Sequence, residues 1–114
     1  MEKYIAMSEL KDNKKRVIKF TTTYTKGDYG LPRGIYFKIQ PLTLHYLGNG
    51  SVMESWSHGS GMDFLMKELP RKSARQEKIV EDRLRPELMN LFRLYQENKK
   101  EEIKSIITNI QKEL

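Results

Sequence analysis

A chain of 114 residues with 38% hydrophobic and 32% charged content is sized for one domain and sits on the polar side of the globular range. It holds no cysteine, which excludes disulfides, thiolate metal sites and cysteine nucleophiles together, and no apolar run approaches the ~20 residues of a membrane span. The formal charge is +6, with nine Lys/Arg against five Asp/Glu up to Ser60 and twelve against ten after it.

Residues Tyr4 to Met7 form either an extra strand or a short helix. From Lys15 to Thr25 the chain alternates. Ile18, Phe20, Thr22 and Tyr24 fall on one face, and Val17, Lys19, Thr21, Thr23 and Thr25 on the other. Period two with β-branched and aromatic residues is a strand signature. The first face reads as core and the second as solvent-facing. Lys26 to Gly34 then carries three glycines and Pro32, an irregular and basic loop that also holds Tyr29.

Ile35, Phe37 and Ile39 alternate with Tyr36, Lys38 and Gln40, a second strand with Tyr36 and Lys38 facing outward. Pro41 marks an edge position or a bulge, because it has no donor for a ladder. Leu42, Leu44 and Tyr46 continue the pattern to Gly48-Asn49-Gly50, a hairpin turn. A third strand, about Ser51 to Ser57, completes a meander.

The character changes at Trp56-Ser57-His58-Gly59-Ser60-Gly61. Beyond it, Ser60 reads as an N-cap, and Met62, Leu65, Met66 and Leu69 make one apolar helical stripe that Pro70 stops. Ser73 and Gln76 form a capping box for a second helix carrying Val80, Leu84, Leu88, Leu91, Phe92 and Tyr95. Pro86 either kinks that helix or starts a new one as its first residue. The second reading is better, since Glu87 suits a first turn. Asn98-Lys99-Lys100 is a break, or one long helix runs through it. Ile103, Ile106, Ile107, Ile110 and Leu114 form the last stripe.

Four groups of residues are candidates for function. His58, Gly59, Ser60 and Gly61 would offer an anion the free amides of a helix start. The bland account is a turn that needs glycine and a cap, and it carries more weight. Lys19, Lys26, Tyr29, Arg33, Tyr36 and Lys38 combine ring faces with cations, which is what a single strand of nucleic acid needs. Against this stands a solvated sheet face with tyrosine present for strand propensity. Lys67 to Arg85 holds Arg71, Lys72, Arg75, Lys78, Arg83 and Arg85 with interleaved acids, which reads as a salt-bridged surface. Ile103, Ile106, Ile107 and Ile110 are either core or an interface. His45, His58 and Glu54 read as ordinary residues and not as metal ligands, and no nucleophile–base–acid set stands out.

These readings give an α+β fold: an N-terminal antiparallel sheet of three or four strands packed by C-terminal helices in two layers. Residues 1–114 form one domain, with a sheet half over 1–60 and a helical half over 61–114. A β-meander followed by a helix is similar in pattern, over residues 15 to 69, to small single-strand-binding folds of the PUR type. The resemblance rests on no motif and assigns no residue a role. The expected protein is a small cytoplasmic, non-enzymatic accessory factor without cofactor or metal. It binds single-stranded nucleic acid through a basic aromatic sheet face. The alternative is a protein-binding module, such as a phage- or plasmid-encoded inhibitor docking on a host nucleic-acid enzyme, with a homodimer through the last stripe as a further expectation.

Overall fold

The computed structural model describes every residue except 28 and 57–60. Five antiparallel strands form one sheet among the described residues. β1 (Glu2–Ala6), β2 (Lys14–Thr25), β3 (Gly34–Tyr46) and β4 (Val52–Trp56) lie side by side in chain order, and β5 (Met62–Glu68) also pairs with β3. β3 is 13 residues long, so one of its edges takes two partners end to end. Leu42–Tyr46 pairs with β4, and Gly34–Ile39 with β5. Pro41 sits at the changeover, where a missing N–H costs no ladder bond.

β5 corrects the expected helix over Met62–Leu69. The apolar spacing is helical, but eight residues closed by a proline make little helix alone. The bare N–H and C=O groups of Gly34–Ile39 need partners, and a strand supplies them. A register shift between Ile35 and Tyr36 marks a bulge in this pairing, which disturbs the period-two pattern. Gly34 admits the close approach, because a Cβ there would lie 2.3 Å from the Lys67 carbonyl oxygen. The sheet half therefore runs to Glu68, not to residue 60.

Helix α1 (Ala74–Leu84) starts with the serine half of the expected capping box, the Ser73 hydroxyl accepting from the Gln76 N–H at 3.3 Å, while the Gln76 side-chain oxygen accepts from Lys67. Pro86 lies in a single 3-10 turn, Arg85–Glu87, so the chain tightens there before α2 (Leu88–Gln96) and does not restart at proline. Asn98 takes a left-handed conformation, φ +59°, and ends that run; α3 (Lys100–Glu113) follows.

The helices cover one face of the sheet. Ile18, Phe20, Ile35, Phe37 and Ile39 meet Val80, Leu84, Leu91, Ile103 and Ile107 in one core, where Phe20 and Phe37 stack at 6.0 Å. Gln111 Nε2 donates to the Leu65 carbonyl at 2.7 Å, and Lys67 Nζ to Gln76 Oε1 at 2.9 Å, which fixes α1 and α3 on β5. The last stripe belongs to this core. Ile103, Ile107 and Ile110 are buried and Ile106 is half-buried, so the isoleucines expected as an interface are spent within the chain. No helix among the described residues is long and apolar enough to cross a membrane.

Candidate nucleic-acid interface

The sheet face away from the helices is not the open platform that alternation suggests. Across it run the rows Ala6–Val17–Leu42–Trp56, Tyr4–Lys19–Gln40 and Glu2–Thr21–Lys38–Asp63. Tyr4 on β1 and Glu54 on β4 stand three strand spacings apart and four residues out of register, roughly 20 Å in a flat sheet. Yet the Tyr4 hydroxyl donates to Glu54 Oε1, so the sheet is curled and this face is concave. The bridge passes over Val17 and Leu42, which explains why both are buried although they face away from the helices.

Lys19 lies inside the same network. Its ammonium is 3.2 Å from Glu54 Oε1, 3.4 Å from Glu2 Oε1 and 5.3 Å from the Tyr4 ring centre. Burial works against the Lys19 charge, but hydrogen bonds with Tyr4 and Glu54 and the Glu54 charge outweigh it, so its pKa rises above the usual lysine value. The Tyr4 hydrogen bond, with Lys19, holds the Glu54 carboxyl below the usual glutamate range; the same bond pushes the Tyr4 phenol up.

Tyr36 is a second correction. It faces away from the helices as its parity requires, but it is only 7% exposed, and its hydroxyl donates to the Pro32 carbonyl at 2.6 Å. It pins the base of the loop and offers no ring face. Lys38 is half-buried between Thr21 and Asp63 in its row.

The loop residues behave differently. Lys26, Tyr29, Leu31 and Arg33 are all exposed. The Leu69 N–H donates to the Arg33 carbonyl at 3.0 Å, and the Tyr24 hydroxyl donates to the Leu69 carbonyl at 2.9 Å. This staple holds the loop against the segment leaving β5, which carries Arg71 and Lys72, both exposed. An open groove of about 650 Å³, lined by Pro32, Arg33, Glu68, Leu69 and Pro70, runs along the junction. Lys26, Arg33, Arg71 and Lys72 form no ion pair among the described residues. Among the described residues the one acid in these two segments is Glu68.

Two sequence candidates thereby merge, and one of them divides. Of the basic run from Lys67 to Arg85, Lys67 turns inward, Lys78 pairs with Asp82, Arg83 with Glu113 and Arg85 with Glu81. Arg71, Lys72 and Arg75 remain, and of these Arg71 and Lys72 lie nearest the Leu69–Arg33 contact and join the loop. Their partnership was hidden because it depends on the Leu69–Arg33 contact between distant segments.

His58, Gly59 and Ser60 lie outside the described residues. Gly61 leads into a strand, so the helix start that would offer amides to an anion is absent there. His45 Nε2 and Ser55 Oγ lie 2.7 Å apart as diagonal neighbours on β3 and β4. Sequence spacing did not reveal this pair. No carboxylate among the described residues hydrogen-bonds to His45, so the third member of a triad is missing there. No group of three or more metal-ligating side chains occurs among the described residues.

No family model, no curated protein and no solved structure matches the chain.

Proposed function

We propose that the protein is a binding module for single-stranded nucleic acid and that its contact surface is the loop end of the sheet, not the concave face. The observation that carries this reading is that exposed Lys26 and Arg33 flank the loop that presents the fully exposed Tyr29, and that the Leu69–Arg33 hydrogen bond brings the segment with exposed Arg71 and Lys72 to the base of that loop. Cations without an ion-pair partner among the described residues can exchange condensed counterions on a phosphate backbone, and an exposed tyrosine ring can stack on any base. The groove beside Arg33 gives an extended strand a path between the two basic segments. Charge and one ring discriminate poorly among sequences, so binding is general to single strands. Lys19, Tyr36 and Lys38 do not take part.

The test is a salt titration of binding to a labelled oligothymidylate. The wild-type protein should lose affinity steeply with salt. A variant with Lys26, Arg33, Arg71 and Lys72 changed to alanine should lose about four phosphate contacts, which flattens the slope of log K against log[salt] by ~3. An unchanged slope in a folded quadruple variant would remove the proposal.

A further inference from the structure

β2 and β3 are 12 and 13 residues long, about 40 Å at ~3.3 Å per residue, so the two ends of the sheet are well separated. The end opposite the basic loop carries the β3–β4 hairpin. There Tyr46, Leu47, Val52, Met53 and Trp56 are exposed, Trp56 to 65%. Single exposed apolar residues are ordinary, but here Tyr46, Val52 and Trp56 share one face of the hairpin, with Leu47 at its turn and Met53 on the other face, and tryptophan and methionine are enriched in interface cores. β4 is also an edge strand whose outer ladder is unpaired among the described residues. Edge strands are normally blocked by lysine, proline or an outward charge. β4 has none of these, because its one charged residue, Glu54, is held inward by Lys19 and Tyr4.

We infer that β4 takes an added strand from a partner protein, an extended segment that alternates apolar and acidic side chains. The open ladder calls for extended backbone, which pairs through main-chain hydrogen bonds while Val52 and Trp56 on one face and Met53 on the other select side chains. The charge at this end selects the partner. Lys11, Lys14, Lys15 and Arg16 outnumber Glu9 and Asp12 around the β1–β2 turn, and β2 lies one strand beyond β3 from β4. A second copy would bring the same positive excess to the contact, whereas an acidic segment complements it. This surface is separate from the loop end, so the two readings stand or fall independently.

The experiment is amide hydrogen exchange on the full chain with a capped seven-residue peptide of alternating glutamate and valine. Its control has lysine in place of each glutamate. The acidic peptide should protect β4 amides several-fold, the lysine peptide should not, and Trp56→Ala should weaken binding ~10-fold or more. Changing Lys26 and Arg33 to alanine should leave the peptide response unaltered. No protection of β4 at ~1 mM acidic peptide, the weak limit of specific binding, overturns the inference. So does an equal response to both peptides. Concentration-dependent dimerisation abolished by Trp56→Ala would assign the edge to a second copy, and oligonucleotide protection of β4 would assign it to nucleic acid. Either result overturns the inference.

Discussion

Lys19→Met separates a structural lysine from a phosphate-binding one. Methionine keeps an aliphatic stem near the Tyr4 ring and removes the charge. Two ion pairs go, to Glu54 at 3.2 Å and Glu2 at 3.4 Å, with one cation–ring contact at 5.3 Å. The two carboxylates are 38% and 62% exposed, so water screens both pairs, and each contributes only ~0–1 kcal/mol. The ring contact adds ~0.5–1 kcal/mol. The expected loss is therefore ~0.5–3 kcal/mol, read as a lower urea midpoint with unchanged slope. Its pH dependence follows from Glu54. That carboxyl is held below its ordinary value in the folded state, so its contribution is full above the unfolded glutamate pKa. It fades as pH falls through the folded value. The difference between wild type and variant should thus shrink in acid, below about pH 4. Oligonucleotide affinity and its salt slope should not change. A variant of unaltered stability that binds ~10-fold more weakly, with a salt slope flatter by ~1, would refute the reasoning and return Lys19 to the binding surface.

Three further outcomes test the fold. Thr22 Oγ1 is buried with no hydrogen-bond partner among the described residues, so Thr22→Val should raise stability by ~1 kcal/mol in urea unfolding. Gly34→Ala sets a methyl against the Lys67 carbonyl and should cost ~1–3 kcal/mol, with faster amide exchange confined first to β5. Ile107→Ala empties a fully packed site and should cost ~2–5 kcal/mol without altering the mass measured by light scattering; a stable variant of altered mass would make the stripe an interface after all.

The long strands were legible because Ile18, Phe20, Ile35, Phe37 and Ile39 keep strict period two and meet a single helical layer. The N-cap at Ser73 was equally local and equally readable. β5 was not, because its pairing with β3 is long-range and its bulge disturbs the alternation. Tyr36 exposes a limit of parity arguments. Alternation says which face a residue takes, but not whether a loop carbonyl such as that of Pro32 waits there. Val17, Leu42 and Lys19 carry the same lesson, since sheet curl brings Tyr4 and Glu54 over them from strands far apart in sequence. At the candidate site, Lys26, Tyr29 and Arg33 were visible as a basic loop, while Arg71 and Lys72 entered only through the staple at Leu69.

The central claim places nucleic acid at the loop end, and the most direct measurement is the footprint of a bound oligothymidylate by residue-resolved amide exchange. Protection should appear from Lys26 to Gly34 and from Leu69 to Lys72, and Tyr4, Lys19 and Lys38 should be unaffected. Protection centred on Lys19 and Lys38, with none in the loop or beside Arg71, would contradict the account.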